Sequence, residues 1–274
     1  MSPATTPTLT TPNDAPATPP CAEEICVFLS RYAASLQACG ATCIRVEKNV
    51  RRMAQAFGTD IEIVIMPRHI HMSLLSADGR ETVTTIAPVP HAPISFNVNT
   101  RLSELSWEVA DRRIDFCTAR EKFNTIISTD RQSALWVLCA ATVANASFCR
   151  LFGGDLIAML TVAIATFAGY LIKQMMLERG ADLRFTVVVC AFVSAVLGAS
   201  DGLFHIGTTP GIALGTSVLY LVPGIPFLNS FSDMIYRRYL CALSRFFDAV
   251  VLTACLSTGL FAGMMLMHSS FAAL

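Results

Sequence analysis

Charge is what the second half of this sequence lacks. Of the 20 basic and 20 acidic side chains in 274 residues, 27 fall before Ala134 and 13 from there to the end. A water-facing domain has roughly a quarter of its residues charged, so the second half is not built to be wetted on all sides. The formal net charge is zero, and no Arg-rich stretch alternates with aromatics, which leaves no electrostatic footprint for a nucleic-acid partner. The ten cysteines form no CxxC pair and no compact framework; they read as reduced, small apolar residues. There is no phosphate loop, no G-x-S-x-G elbow and no H-E-x-x-H pair, so neither a nucleotide fuel site nor an assembled nucleophile is indicated. His69 and His71 would share one face of a strand, but no carboxylate or cysteine cluster completes a metal set around them. No metal and no cofactor are expected, and the chain is not expected to be an enzyme.

What is present is apolar. Hydrophobic residues make up 53% of the chain and mean hydropathy is +0.54. Beyond Arg131 the sequence divides into apolar runs near 134–152, 155–173, 183–200, 210–228 and 246–267, close to the ~20 residues that cross a bilayer at about 1.5 Å rise each. These runs are rich in Ala, Gly, Ser and Thr, which let helices approach closely in lipid. Gly207, Gly211 and Gly215 recur every fourth residue into the fourth run, and Gly259 and Gly263 do so in the fifth. That spacing predicts close-packing helix faces, with a partner either within the chain or in another subunit. Lys173, Arg179 and Arg184 lie between runs two and three, and Arg237, Arg238 and Arg245 between runs four and five; 153–155 and 200–209 carry no Lys or Arg. The bias predicts that the amino terminus is in the cytosol, and the expected location of this multi-pass chain is the cytoplasmic (inner) membrane.

The first half is organised differently. Residues 1–20 are rich in Thr, Pro and Ala with no basic residue, which predicts a disordered tail rather than a signal peptide. Helical spacing of apolar residues predicts helices over 22–38 and 41–57, ended by Gly40 and Gly58. Three β-rich runs follow at 61–66, 70–76 and 81–87, the last two joined at Asp78-Gly79, a hairpin signal. A Pro-rich break, APVPHAP, precedes a charged helical section over 99–128. The expected fold is an α-helical polytopic membrane protein of about five transmembrane helices in 131–274. A small cytosolic α+β domain with a helical connector, 21–130, precedes it.

The most informative segment is LVPGIPFLNSFSDM, 221–234. Pro223 and Pro226 around Gly224 interrupt a helix, because proline removes a backbone donor and crowds the preceding turn. One reading is a broken span in which Pro223, Gly224, Pro226, Asn229 and Asp233 line a substrate or ion path, with Asp233 as a coupling-proton site. The other is a span that ends at Pro223 and continues as an interfacial amphipathic helix, with Asp233 simply wet. Asp155 and Asp182 stand where helix N-caps belong, although Asp155 is also a candidate path residue. Asn145 falls mid-span and must find a partner across helices or serve the path.

The runs FGGDLIAML, TFAGYLIKQMMLERG and SVLYLVPGIPFLNSFSDM together resemble the amino-terminal half of the threonine/serine exporter family. They are closest to its short split form, the P subunit of a two-component succinate exporter. The resemblance implies export of a small amino acid or carboxylate driven by an ion gradient. It further implies a second small membrane subunit forming the other half, within a homo- or hetero-oligomer in lipid. It matches Pro223, Gly224 and Pro226 to the family's Pro-Gly-x-Pro motif and Asp233 to the acidic residue after it. The competing reading is a membrane-tethered ligand sensor or regulator, for which one span would suffice as an anchor.

Overall fold

The computed structural model describes residues 20–75, 82–128, 133–204 and 207–272. The expected tail and the Asp78-Gly79 turn lie outside the described residues. The chain begins with α1 (Ala22–Ala38), whose first turn is closed by a capping box between Cys21 and Glu24. Helix α2 (Cys43–Ala56) follows after Gly40, whose φ of +89° is a left-handed conformation that glycine adopts without strain. Strands β1 (Asp60–Ile65), β2 (His69–Leu75) and β3 (Thr82–Pro88) form an antiparallel meander, with Ile63 opposite Met72 and Met72 opposite Thr85. In β1, Ile61, Ile63 and Ile65 point inward while Asp60, Glu62 and Val64 point out, the alternation of a sheet with one covered face.

The predicted helical section resolves into α3 (Phe96–Ala110) and α4 (Phe116–Ser128). They separate at Arg112, which has a positive φ of 54°. Phe28 of α1 meets Phe57, Phe116 and Phe123 edge to face, with ring centroids 5.4–6.5 Å apart. Buried Tyr32 donates to the Leu102 carbonyl at 2.7 Å. These helices and the covered sheet face share one apolar core.

The second half is a bundle of α5 (Ala134–Leu151), α6 (Leu156–Glu178), α7 (Leu183–Phe204), α8 (Pro210–Ser217), α9 (Gly224–Ile235) and α10 (Tyr239–Ala272). Among the described residues four helices are long and apolar enough to cross a membrane, or five spans if the bent pair is one of them. The protein is therefore a multi-pass membrane protein. Helix α7 lies innermost: 39% of its apolar stretch is buried, against 17% for α5 and α10. Gly259 and Gly263 of α10 pack on it. A Cβ at Gly259 would overlap the Val188 carbonyl, and one at Gly263 would lie 2.7 Å from the Ala195 methyl.

The fourth span is where the sequence left two outcomes open. Helix α8 runs into a 3-10 turn at Leu219–Leu221, Val222 is extended, and α9 leaves at a 63° bend. Each half has 12 residues, about 18 Å of rise and well short of the ~30 Å hydrocarbon core. Neither half crosses by itself. At 34 residues, α10 spans about 51 Å, longer than the ~30 Å hydrocarbon core, and Cys241 in its first turn packs into the α+β region.

Candidate functional site

Buried polar groups in the bundle gather at two depths, and the residues singled out in the sequence divide between them. The first group lies in the bundle interior. Asn145 of α5 is 3% exposed and donates from Nδ2 to Thr166 Oγ1 at 2.6 Å and to the Thr216 carbonyl at 3.0 Å. An amide withdrawn into hydrocarbon without partners is costly; here it ties α5, α6 and α8 together. Deeper toward the α+β region, Ser194 Oγ of α7 lies 3.0 Å from the Tyr220 hydroxyl and reaches the Ala165 carbonyl at 3.4 Å. The Tyr220 ring packs 5.9 Å from that of Tyr170, and the Lys173 ammonium lies 5.4 Å over the Tyr170 ring.

One helix face organises this line. Thr166, Gly169, Tyr170 and Lys173 recur on α6 at spacings of three and four, which places them on one stripe. Gly169 is required there: a Cβ would overlap the Tyr220 hydroxyl and crowd Ser194 Oγ. Gly198 does the same for Ser217, whose Oγ would be 2.6 Å from an added Cβ. Sequence reasoning missed Lys173, Tyr170, Ser194, Tyr220 and Thr166. The stripe on α6 was the available signal, but hydropathy averaged along a run conceals which face a polar residue occupies.

The second group joins the bundle to the α+β region. Asp233 of α9 is fully buried; it accepts the Cys43 N–H at 2.8 Å and pairs with Arg245 of α10 at 2.7 Å. Arg245 also donates to the Ala41 carbonyl at 2.8 Å, and Asn229 donates to the Gly40 carbonyl at 2.8 Å. Arg238 pairs with Glu47, and the Cys241 thiol reaches the Ile65 carbonyl at 3.4 Å. The first turn of α2 and the loop before it are thus gripped by α9 and α10. An acidic side chain at a helix N-terminus meets free N–H groups and a favourable dipole, and Asp233 supplies one from another part of the chain. A side-chain hydrogen bond with Cys241 and, after it, burial push the Cys43 thiol up. All ten cysteines are free.

The other expected residues have separate places. Pro223 is buried and caps α9, Gly224 is exposed with nothing within 4 Å of a Cβ, and Pro226 lies in the first turn of α9. Asp155 is at the opposite end of the bundle. It caps α6 by accepting the Ala158 N–H at 2.7 Å and accepts the Thr208 N–H at 2.6 Å, tying two loops together. Asn145, Asn229 with Asp233, and Asp155 therefore occupy three sites rather than one. Added Cβ atoms at Gly211 and Gly215 would meet nothing within 4 Å. Among the described residues these two glycines pack against no other helix, whereas Gly259 and Gly263 do. Gly207 precedes α8.

Comparison with known proteins follows the same outline. Residues 27–267 match the family model described as "Putative threonine/serine exporter". The chain is similar to the "Probable succinate transporter subunit YjjP" of Klebsiella aerogenes, 27% identical over 216 residues, covering 78% of this chain and 83% of the relative. It is also similar to the protein of the same description in Escherichia coli strain K12, 25% identical over 222 residues, covering 80% and 86%. No solved structure matches the chain.

Proposed function

Because this chain belongs to the threonine/serine exporter family, we propose that it is one subunit of a secondary-active exporter of small carboxylates or amino acids. Its work is transport rather than catalysis, in the cytoplasmic membrane, with the α+β region in the cytosol. The relatives are named as subunits of a succinate transporter, which supports a second small membrane subunit as the partner and succinate as the first substrate to try.

The observation that carries this reading is the 63° break at Val222–Pro223. Two half-length helices meet at a turn whose Tyr220 reaches into the interior polar line and whose α9 arm ends in the Asp233 joint. Broken helices at membrane depth are how secondary transporters make a site and a hinge from one element. In this reading Pro223, Gly224 and Pro226 form the hinge, and Asn145 belongs to the path. Asn229 and Asp233 carry the hinge motion to the cytosolic region, and Asp155 holds the far loops. A sensor that used the bundle only as an anchor would need neither the break nor a polar interior.

The test is efflux. Cells lacking both subunits are loaded with labelled succinate or labelled threonine, and release is followed with this chain, its partner, or both. Release only with both supports the two-subunit exporter and identifies the substrate class. Absence of release in every combination, with both proteins present in the membrane, would favour the sensor.

A further inference from the structure

The polar line of the bundle ends, toward the α+β region, on a cation that meets no carboxylate among the described residues. Among the basic residues at that end, Arg184 faces Asp248 at 3.9 Å, Arg238 faces Glu47, and Arg245 faces Asp233 at 2.7 Å. Arg179 and Arg237 are exposed. Lys173 alone is half-buried with no carboxylate within 4 Å among the described residues. A lysine that simply reached for the headgroups would run along the outer surface of its helix. This one lies over the Tyr170 ring at 5.4 Å, on the interior stripe with Thr166, seven residues and about 10 Å away along α6.

An ammonium drawn away from water without a counter-charge is costly and marks a site where a charge is supplied from elsewhere. Hydroxyl-bearing side chains continue the line from it: the Tyr170 ring beneath the ammonium packs 5.9 Å from the Tyr220 ring, and the Tyr220 hydroxyl lies 3.0 Å from Ser194 Oγ. Lysine with hydroxyl donors is a carboxylate-binding set. We propose that Lys173 recognises the carboxylate of the transported molecule, with Tyr170, Tyr220 and Ser194 completing the site. The inference rests on the exporter reading above. It also connects recognition to motion, because Tyr220 sits in the 3-10 turn immediately before the break.

The experiment compares Lys173→Gln, Lys173→Arg and Tyr220→Phe in the full chain with its partner, at matched amounts in the membrane, measuring efflux against internal substrate concentration. Lys173→Gln should raise the half-saturating concentration of succinate by at least about tenfold, the loss expected for one charge-assisted hydrogen bond. Lys173→Arg should recover most of it, and Tyr220→Phe should show a smaller rise. Unchanged half-saturation in Lys173→Gln overturns the proposal. So does an equal loss in Lys173→Arg and Lys173→Gln that lowers only the maximal rate, which would mark a packing role. If the wild-type pair exports nothing, the exporter reading fails. The site is then decided by thermal stabilisation of the purified chain by succinate, which Lys173→Gln should abolish if Lys173 binds the carboxylate and preserve if it does not.

Discussion

The α+β region and the helical bundle are held together by opposite kinds of side chain. The first buries large ones: Leu29, Tyr32, Leu36, Met53 and Leu102 are all inaccessible, and Phe28 sits among three aromatic rings. The second buries small ones, Ala191, Ala195, Ser194 and Gly259 at the α7–α10 and α6–α7 contacts, and turns Leu160, Ile164, Phe231 and Leu228 outward. Burying a large apolar side chain is favourable only when the alternative is water. In lipid that advantage disappears, and close backbone approach and interior hydrogen bonds decide the packing. The joint at Asp233 is where the two regimes meet, and it is built of ion pairs and capped carbonyls.

That contrast is broken most strongly at the joint. Asp233→Ala leaves the partly buried Arg245, at 17% side-chain exposure, without its carboxylate, and should cost about 3 kcal/mol. The double variant with Arg245→Ala should cost less than the sum of the singles. Thermal unfolding of the purified protein, followed by loss of the monodisperse peak, measures this. Equal and additive costs would remove the pair from the account of how the two regions hold together.

Next comes the core of the α+β region. Leu29→Ala should cost about 2–5 kcal/mol, seen as earlier proteolysis within 20–128 while the bundle stays folded. An added methyl in the bundle sharpens the opposite rule. Gly259→Ala, which would overlap the Val188 carbonyl, should cost about 1–3 kcal/mol by overpacking. Gly215→Ala, with open space around it, should leave the stability of this chain unchanged. A change at Gly215 that appears only when the partner is present would place the partner on that face.

A small pH-dependent effect is expected at the far loops. The Asp155 carboxyl is held at about 2, below its ordinary 3.8, first by the Thr208 N–H and then by the Ala158 N–H. A carboxyl lowered by folding stabilises fully above its unfolded value and loses that contribution as pH falls through its folded value. The wild-type melting temperature should therefore fall as pH drops from about 4 to about 2. Asp155→Asn should flatten that part of the profile, and an unchanged slope would remove Asp155 from it.

Much of this protein was legible because its causes are local. The helix ends at Gly40 and Gly58, the alternation of Ile61, Ile63 and Ile65, and the apolar runs after Arg131 are written within a few residues of where they act. So is the break at Pro223, because a missing donor and a fixed φ need no tertiary partner to interrupt a helix. What the sequence could not decide was company. Asp233 and Asn229 stand beside the Pro-Gly-Ile-Pro stretch in sequence. Their partners, however, are Cys43 and Gly40, 190 and 189 residues away. Lys173 appears in sequence as one more basic residue of a loop, and only the folded chain sets its ammonium over a Tyr170 ring that packs on Tyr220. Spans and breaks follow from the chemistry of a short segment against its solvent, whereas the pairing of buried polar groups depends on distant segments meeting, and that was settled only by the folded chain.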